Sequence, residues 1–203
     1  WHLGAHIPTS HPMKRGFDEF YGHLGGGHTY FPGKLTIQRS QDAKDESESY
    51  RTWLMKNYEP VPPRKYITDD FSDEAVSFVD RNRDWPFFLF LSYNAPHTPL
   101  EATEKYLNRF SDIRDPKRKT YAAMVSAVDD GVGRVLEEVR RHNLEESTII
   151  AFLSDNGGPT TKNASNNSPL RGNKGDSWEG GYRVPFALQW KGELPEGTTY
   201  ENP

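Results

Sequence analysis

The sequence predicts an α/β fold, a mixed and largely parallel sheet flanked by helices. Three observations carry this: a continuous apolar run at 87–93, a long amphipathic pattern after Asp115, and two further apolar runs at 148–153 and 185–190. Strand, long helix, strand is the pattern of a βαβ crossover, which places helices on the faces of a sheet.

In chain order, the first thirty-odd residues are rich in Gly, His and Pro and carry Phe17, Phe20, Tyr21, Tyr30 and Phe31. Gly and Pro interrupt every regular pattern there, so this part reads as ordered loop with short helical turns. Residues 39–50 are almost wholly polar, a solvated excursion from which Val61-Pro62-Pro63 leads out. Tyr66-Ile67-Thr68 suits either a short strand or a helix entry. Over 69–82, Phe71, Ala75, Phe78 and Val79 recur at helical spacing, with acids in the first turn, Arg81 near the end and Trp85-Pro86 as the stop. The 87–93 run has the pattern of a strand buried on both faces. For the long helix, Asp115 is the expected N-cap and Pro116 the first helical residue. Tyr121, Met124, Val125, Val128, Val132, Val135, Leu136 and Val139 form its apolar stripe, and Asn143 closes it. The runs at 148–153 and 185–190 read as two more buried strands.

The 203 residues suit one sizeable domain or a piece of a larger one. Aromatics reach 13%, which argues for a packed core although the hydrophobic fraction is only 34%. A net charge of -4 predicts no general attraction to nucleic acid or an anionic membrane. No window holds the roughly 18 apolar residues that a membrane span needs. Cysteine is absent, which excludes disulfides, thiolate metal sites and a Cys nucleophile within this stretch. The opening residue is Trp1 and not Met, so further chain is expected before it.

Ligands of open α/β sheets bind beyond the carboxyl ends of the strands. That rule selects Asn94-Ala-Pro-His97-Thr-Pro and Ser154-Asp155-Asn156-Gly157-Gly158-Pro159, which parallel strands would bring to one edge. Asp155 and Asn156 offer a carboxylate and an amide carbonyl, hard donors suited to Ca²⁺, with Mg²⁺ the weaker match. The tetrapeptide Asp155-Asn156-Gly157-Gly158 also makes an ordinary turn. His97 sits between Pro96 and Pro99, rigidly presented for anion binding or acid catalysis. Lys174 lies among glycines, where its ammonium can meet an anion, and Glu179 and Arg183 read as a structural ion pair. His6, His11, His23, His28 and His142 show no zinc-binding spacing. Together, a hard-cation site, a His and a Lys describe a site for a tetrahedral oxyanion ester, phosphate or sulfate.

In their order, the blocks WHLG at 1–4, HPMKRGFDEFYG at 11–22, FFLFLSYNAPHTPL at 87–100, TYAAMVSAVDDGVGRVL at 120–136, FLSDNGGP at 152–159 and SPLRGNKGDSWEGGYRVP at 168–185 resemble the formylglycine-dependent, arylsulfatase-like sulfatases of the alkaline phosphatase superfamily. The resemblance implies an alkaline phosphatase-like sheet and a chain, 1–203, forming the central part of a sulfatase catalytic domain. The nucleophile segment and the C-terminal subdomain are expected outside it. It implies that Asp155 and Asn156 hold calcium, that His97 and Lys174 bind sulfate and assist the leaving oxygen, and that His2 helps expel sulfate from a covalent intermediate. The formylglycine and two more acidic metal ligands would come from outside these residues, and the work would be done outside the cytoplasm. The expected substrate is a small-molecule or polysaccharide sulfate ester, such as a sulfated carbohydrate or aryl sulfate, with the loops at 25–30 and 163–168 placed to touch it.

Two other readings fit the residues: a phosphomonoester or phosphodiester hydrolase of the same superfamily, and a non-catalytic relative that binds. The upstream nucleophile separates the first, since a phosphatase carries Thr or Ser there. Asn163-Ala-Ser165 and Asn166-Asn-Ser168 are glycosylation sequons that do not bear on the choice. Purified residues 1–203 are expected to release no sulfate from a sulfate ester. Weak but clear release, followed by ion chromatography, would overturn that expectation.

Overall fold

The computed structural model describes residues 1–33 and 52–200, so the polar stretch at 39–50 lies outside the described residues. Two 3₁₀ turns, Pro8–Ser10 and Pro12–Lys14, open the chain as expected for its Pro-rich start. A small antiparallel meander follows, with β1 (Tyr21–His23), β2 (Leu54–Lys56) and β3 (Glu59–Pro60) in that order. Its register pairs Tyr21 with Lys56 and His23 with Leu54.

Helix α1 runs Ile67–Asn82, so Tyr66-Ile67-Thr68 is a helix entry. Asp69 and Asp70 in its first turn favour the positive end of the helix dipole. Asp70 is fully buried and could not remain charged there alone. The Arg64 guanidinium meets it at 2.6 Å, and the Tyr21 hydroxyl and Arg64 N–H donate at 2.8 and 3.1 Å. This network ties the meander to the start of α1, and the carboxylate beside it raises the Tyr21 hydroxyl pKa, after burial.

A short helix α2 (Glu104–Leu107) leads to α3, Pro116–Arg141. The Asp115 side chain accepts from Lys117 N–H, which is the predicted N-cap with Pro116 at the first position. Asn143 closes the helix in the left-handed region at φ 57. Asn143 N–H bonds Arg140 O at 2.9 Å and Leu144 N–H bonds Val139 O at 3.0 Å, a Schellman ending.

The predicted apolar stripe is corrected on its contact face. Ala123, Met124, Ala127, Gly131, Glu138 and Val139 are the buried residues, whereas Val125 is 41% exposed. Small side chains let α3 approach closely. A β-carbon on Gly131 would run into the hydroxyls of Ser72 on α1 and of Tyr93, which bond each other at 2.8 Å. Around this contact the core gathers Tyr30, Leu54, Tyr66, Ile67, Phe71 and Tyr106.

The strands depart most from expectation. Residues 87–93 are not in a strand ladder, and their exposure alternates, with Phe88 at 74% and Phe90 at 58% exposed. The segment is half-buried on one side only, where Phe87 meets Phe78 of α1 edge to face. The runs at 148–153 and 185–190 do form strands, β4 (Ile150–Leu153) and β5 (Phe186–Gln189), but they are largely exposed. They pair antiparallel, Leu153 opposite Phe186 and Ile150 opposite Gln189. The reason is local to the connection: β5 begins beside the end of β4, because residues 154–185 stay at that end. The intervening short helices, α4 (Thr160–Asn163) and α5 (Glu179–Tyr182), are too brief to carry the chain back along the sheet. A mixed α/β architecture therefore stands, while every ladder among the described residues is antiparallel. No helix among them is long and apolar enough to cross a membrane.

Two outcomes test this packing. Gly131→Ala is expected to destabilise by about 1–3 kcal/mol through overpacking. Gly133→Ala, two residues on with open space around it, should be neutral or stabilising by up to ~1 kcal/mol. Equal melting temperatures for the two variants would contradict the close approach. The second outcome concerns His23, whose imidazole burial pushes down to about 3. Below pH 6.5 the unfolded chain takes up a proton that the folded chain refuses until about 3, so stability falls as pH falls across that window. The slope contributed is on the order of 1 kcal/mol per pH unit, and His23→Gln should flatten it in urea titrations between pH 7 and 4.

Candidate functional site

The expected site residues fall into two groups, each held by its own framework. The first is built on the loop after β1. His2 is exposed, with φ 56, and its N–H donates to Leu24 O at 2.9 Å. Leu24 and Gly25 N–H in turn both donate to Thr52 Oγ1 at 2.9 Å, and the His23 and His28 rings lie 5.3 Å apart beneath them. The same loop ends at Tyr30, which is 1% exposed and reaches the turn that carries His97.

That turn is closed by His97 N–H bonding Asn94 O at 2.9 Å. Tyr30 Oη lies 2.9 Å from Asn94 O and 2.8 Å from His97 O, so the phenol proton is shared between both carbonyls. His97 Nδ1 is 2.7 Å from Thr98 O. A carbonyl oxygen only accepts, so this contact places a proton on Nδ1.

The second group is built where β4 ends. Asp155 Oδ1 accepts Asn156 N–H at 2.9 Å, and Asn156 Nδ2 donates to Gly157 O at 3.0 Å. Among the described residues, these bonds leave Asp155 Oδ2 and Asn156 Oδ1 uncommitted, two hard oxygens on adjacent residues. Gly157 N–H donates to Gly181 O at 2.9 Å. A β-carbon at Gly157 would collide with the Gly180 backbone, so the glycine is required for this approach.

Lys174 is exposed on the neighbouring loop, between Gly172 at φ 102 and Gly175 at φ 89. Two asparagines sew the loops together. Asn167 accepts from Gly158 N–H at 2.9 Å and donates to Gly158 O at 2.8 Å and Gly172 O at 3.0 Å. Asn173 accepts from the Thr160 hydroxyl at 2.6 Å. The Arg171 guanidinium stacks 3.7 Å over the Trp178 ring, stiffening the same loop. Glu179 and Arg183 pair at 3.2 Å in the open, the structural ion pair expected.

The structure thus laces the loop that follows Asp155 and Asn156 to the loop that carries Lys174. Among the described residues, no hydrogen bond or ion pair joins them to His97. Asn167, Asn173 and Tyr30 are the residues that sequence reasoning missed as framework. Asn167 was visible only as the middle of a sequon, and an Asn in a polar loop gives no periodic signal. Of the two sequons, Asn163 is 4% exposed while Asn166 is open.

Two other features lie apart from this chemistry. A cavity of about 150 Å³ between α1 and residues 88–92 is lined by rings such as Phe17, Phe20, Phe78 and Phe88, and includes none of the expected site residues. Asp80, Glu138 and His142 bring ligand atoms together. Arg141 already bonds Asp80 at 3.0 Å and Glu138 at 2.5 Å, and Arg83 meets Asp80 at 3.3 Å, so two guanidiniums face the two carboxylates in a clamp between α1 and α3.

The comparisons with known proteins extend over the whole chain. The family described as Sulfatase matches residues 1–203. Uncharacterized sulfatase YdeN of Escherichia coli K12 is 36% identical over 190 residues, covering 92% of this chain and 30% of that protein. Human N-acetylgalactosamine-6-sulfatase is 30% identical over 208 residues, covering 97% of this chain and 37% of that protein. Among solved structures, Ps i-CgsB in complex with k-i-k-neocarrahexaose superposes with a TM-score of 0.85 at 47% identity, over 94% of this chain and 43% of that one. The chain spans about a third of the length of these curated relatives. With its motifs in the matching order and one profile matching it throughout, the chain belongs to the sulfatase family.

Proposed function

We propose that the protein carrying this chain hydrolyses sulfate esters of a carbohydrate. The observation that carries the reading is the lacing of the Asp155–Asn156 loop to the Lys174 loop through Asn167 and Asn173, which holds cation donors and an anion-binding ammonium on one framework. Two uncommitted hard oxygens fit Ca²⁺ in chemistry, and further acidic ligands would complete its shell. Bound there, the ion supplies positive charge against the sulfate oxygens. A formylglycine, supplied from outside these residues, provides the nucleophile.

In this reading Lys174 contacts a sulfate oxygen and the bridging oxygen, where charge develops as the ester bond breaks. His97 donates the Nε2 proton to the departing alcohol, while Thr98 O keeps Nδ1 protonated and the ring oriented. His2 takes up a proton as sulfate is expelled. A carbohydrate substrate is supported by the solved relative that holds a neocarrahexaose, a hexasaccharide. Secretion or periplasmic export rests on the family resemblance.

The test is sulfate release by the mature, calcium-loaded protein from a panel of sulfated oligosaccharides, with phosphate monoesters and diesters beside it. Sulfate release is expected to fall about 100-fold or more in Lys174→Ala and His97→Ala. Faster release of phosphate than of sulfate would favour the phosphoesterase reading. Asp155→Ala is expected to weaken calcium binding at least about tenfold by calorimetry, since it deletes a charged ligand. Unchanged affinity would remove Asp155 from the metal site.

A further inference from the structure

We infer that Tyr30 is a positioning residue for His97, its buried hydroxyl fixing the turn that aims the imidazole. The inference rests on the reading of His97 as proton donor to the leaving oxygen.

Tyr30 is 1% exposed, so its hydroxyl has no access to water and must find partners in the protein. Those partners are Asn94 O and His97 O, the two ends of a single turn, at 2.9 and 2.8 Å. Asn94 O also accepts the His97 N–H at 2.9 Å, so one carbonyl anchors the turn from two directions.

Tyr30 is itself held fast. Its N–H donates to Glu101 Oε2 at 2.8 Å, and its carbonyl accepts Ile67 N–H at the start of α1 at 2.9 Å. Its ring stacks on Tyr66 with centroids 5.8 Å apart, and the Tyr66 hydroxyl bonds Glu101 O at 2.8 Å. Beyond the turn, His97 Nδ1 is fixed by Thr98 O. A continuous set of contacts therefore runs from the α1 terminus through Tyr30 to the imidazole. Removing the hydroxyl would loosen the turn without touching sulfate, Lys174 or the cation donors. A misplacement of about 1 Å at such a group costs on the order of 100-fold in rate.

Tyr30→Phe separates this role from simple structural support, because a proton donor matters most to a poor leaving group. In the mature protein, kcat on an unactivated carbohydrate sulfate is expected to fall about 10- to 100-fold with KM within about twofold. An activated aryl sulfate, whose phenolate leaves without a proton, should lose less than about threefold. Tyr106→Phe removes another buried hydroxyl, one bonded to Asp69 and not to the turn, and should lower both rates equally or neither. Equal losses on both substrates in Tyr30→Phe would overturn the inference.

Hydrogen exchange supplies a readout that needs neither metal nor formylglycine, and it applies to the unaltered protein even where the variant does not fold. The His97 amide is expected to exchange only through global opening in the native protein, and at least about tenfold faster in Tyr30→Phe. Exchange at the rate of an open loop amide in the native protein overturns the inference. If His97→Ala shows no leaving-group dependence, the reading of His97 fails and the inference with it. If His97→Ala shows it and Tyr30→Phe does not, the inference alone fails.

Discussion

Three tyrosines in the core must each find a partner for a hydroxyl that water cannot reach, and much of the architecture follows from where those partners lie. Tyr30, Tyr66 and Tyr106 are 1%, 4% and 0% exposed, with neighbouring rings about 6 Å apart. An unpaired buried hydroxyl costs about 1–3 kcal/mol, so each ring in the core fixes the place of an acceptor outside it. Tyr30 takes the turn at 94–97, Tyr66 takes Glu101 O, and Tyr106 takes Asp69 Oδ1 at 2.5 Å. The strap from Asn94 to Glu101 is thereby fastened to the start of α1. Hydrophobic burial and polar satisfaction act through the same side chains.

The other half of the site is organised by the opposite means. Around Asp155 and Lys174 the backbone itself does the packing, through glycines at 157, 158, 180 and 181 that leave no room for a side chain. Asparagine amides replace the missing ladder hydrogen bonds, because an amide offers a donor and an acceptor at once. Asn167 uses both to hold Gly158 and Gly172. Lys174 then stands exposed on a loop held at Gly172 and Asn173.

Several of these features were legible in the residues. Asp115 and Pro116 announced the start of α3, and Asn143 its end, because both ends are local: the Asp115 carboxylate reaches Lys117 N–H two positions on, and Asn143 adopts the left-handed conformation that closes a helix. The Glu179–Arg183 pair was legible for the same reason. The apolar stripe on α3 marked the side that avoids water, with Met124 and Val139 buried and only Val125 exposed, but hydrophobicity does not show which residues permit the closest approach. Ala127 and Gly131 make that contact by being small. The run at 87–93 was apolar enough for a strand buried on both faces, yet Phe88 and Phe90 point outward.

From the residues alone, then, came the two long helices, both ends of α3, the order of the motifs, the sulfatase family and the chemical character of Asp155, Asn156, His97 and Lys174. The tertiary structure decided that β4 and β5 run antiparallel, that Asn167 and Asn173 join the Asp155–Asn156 loop to the Lys174 loop, and that the Tyr30 hydroxyl bonds the turn of His97. The division has a physical cause. Caps, periodicity and motif spacing are settled among residues a few positions apart, whereas strand direction and the partner of a buried hydroxyl depend on segments brought together from distant parts of the chain.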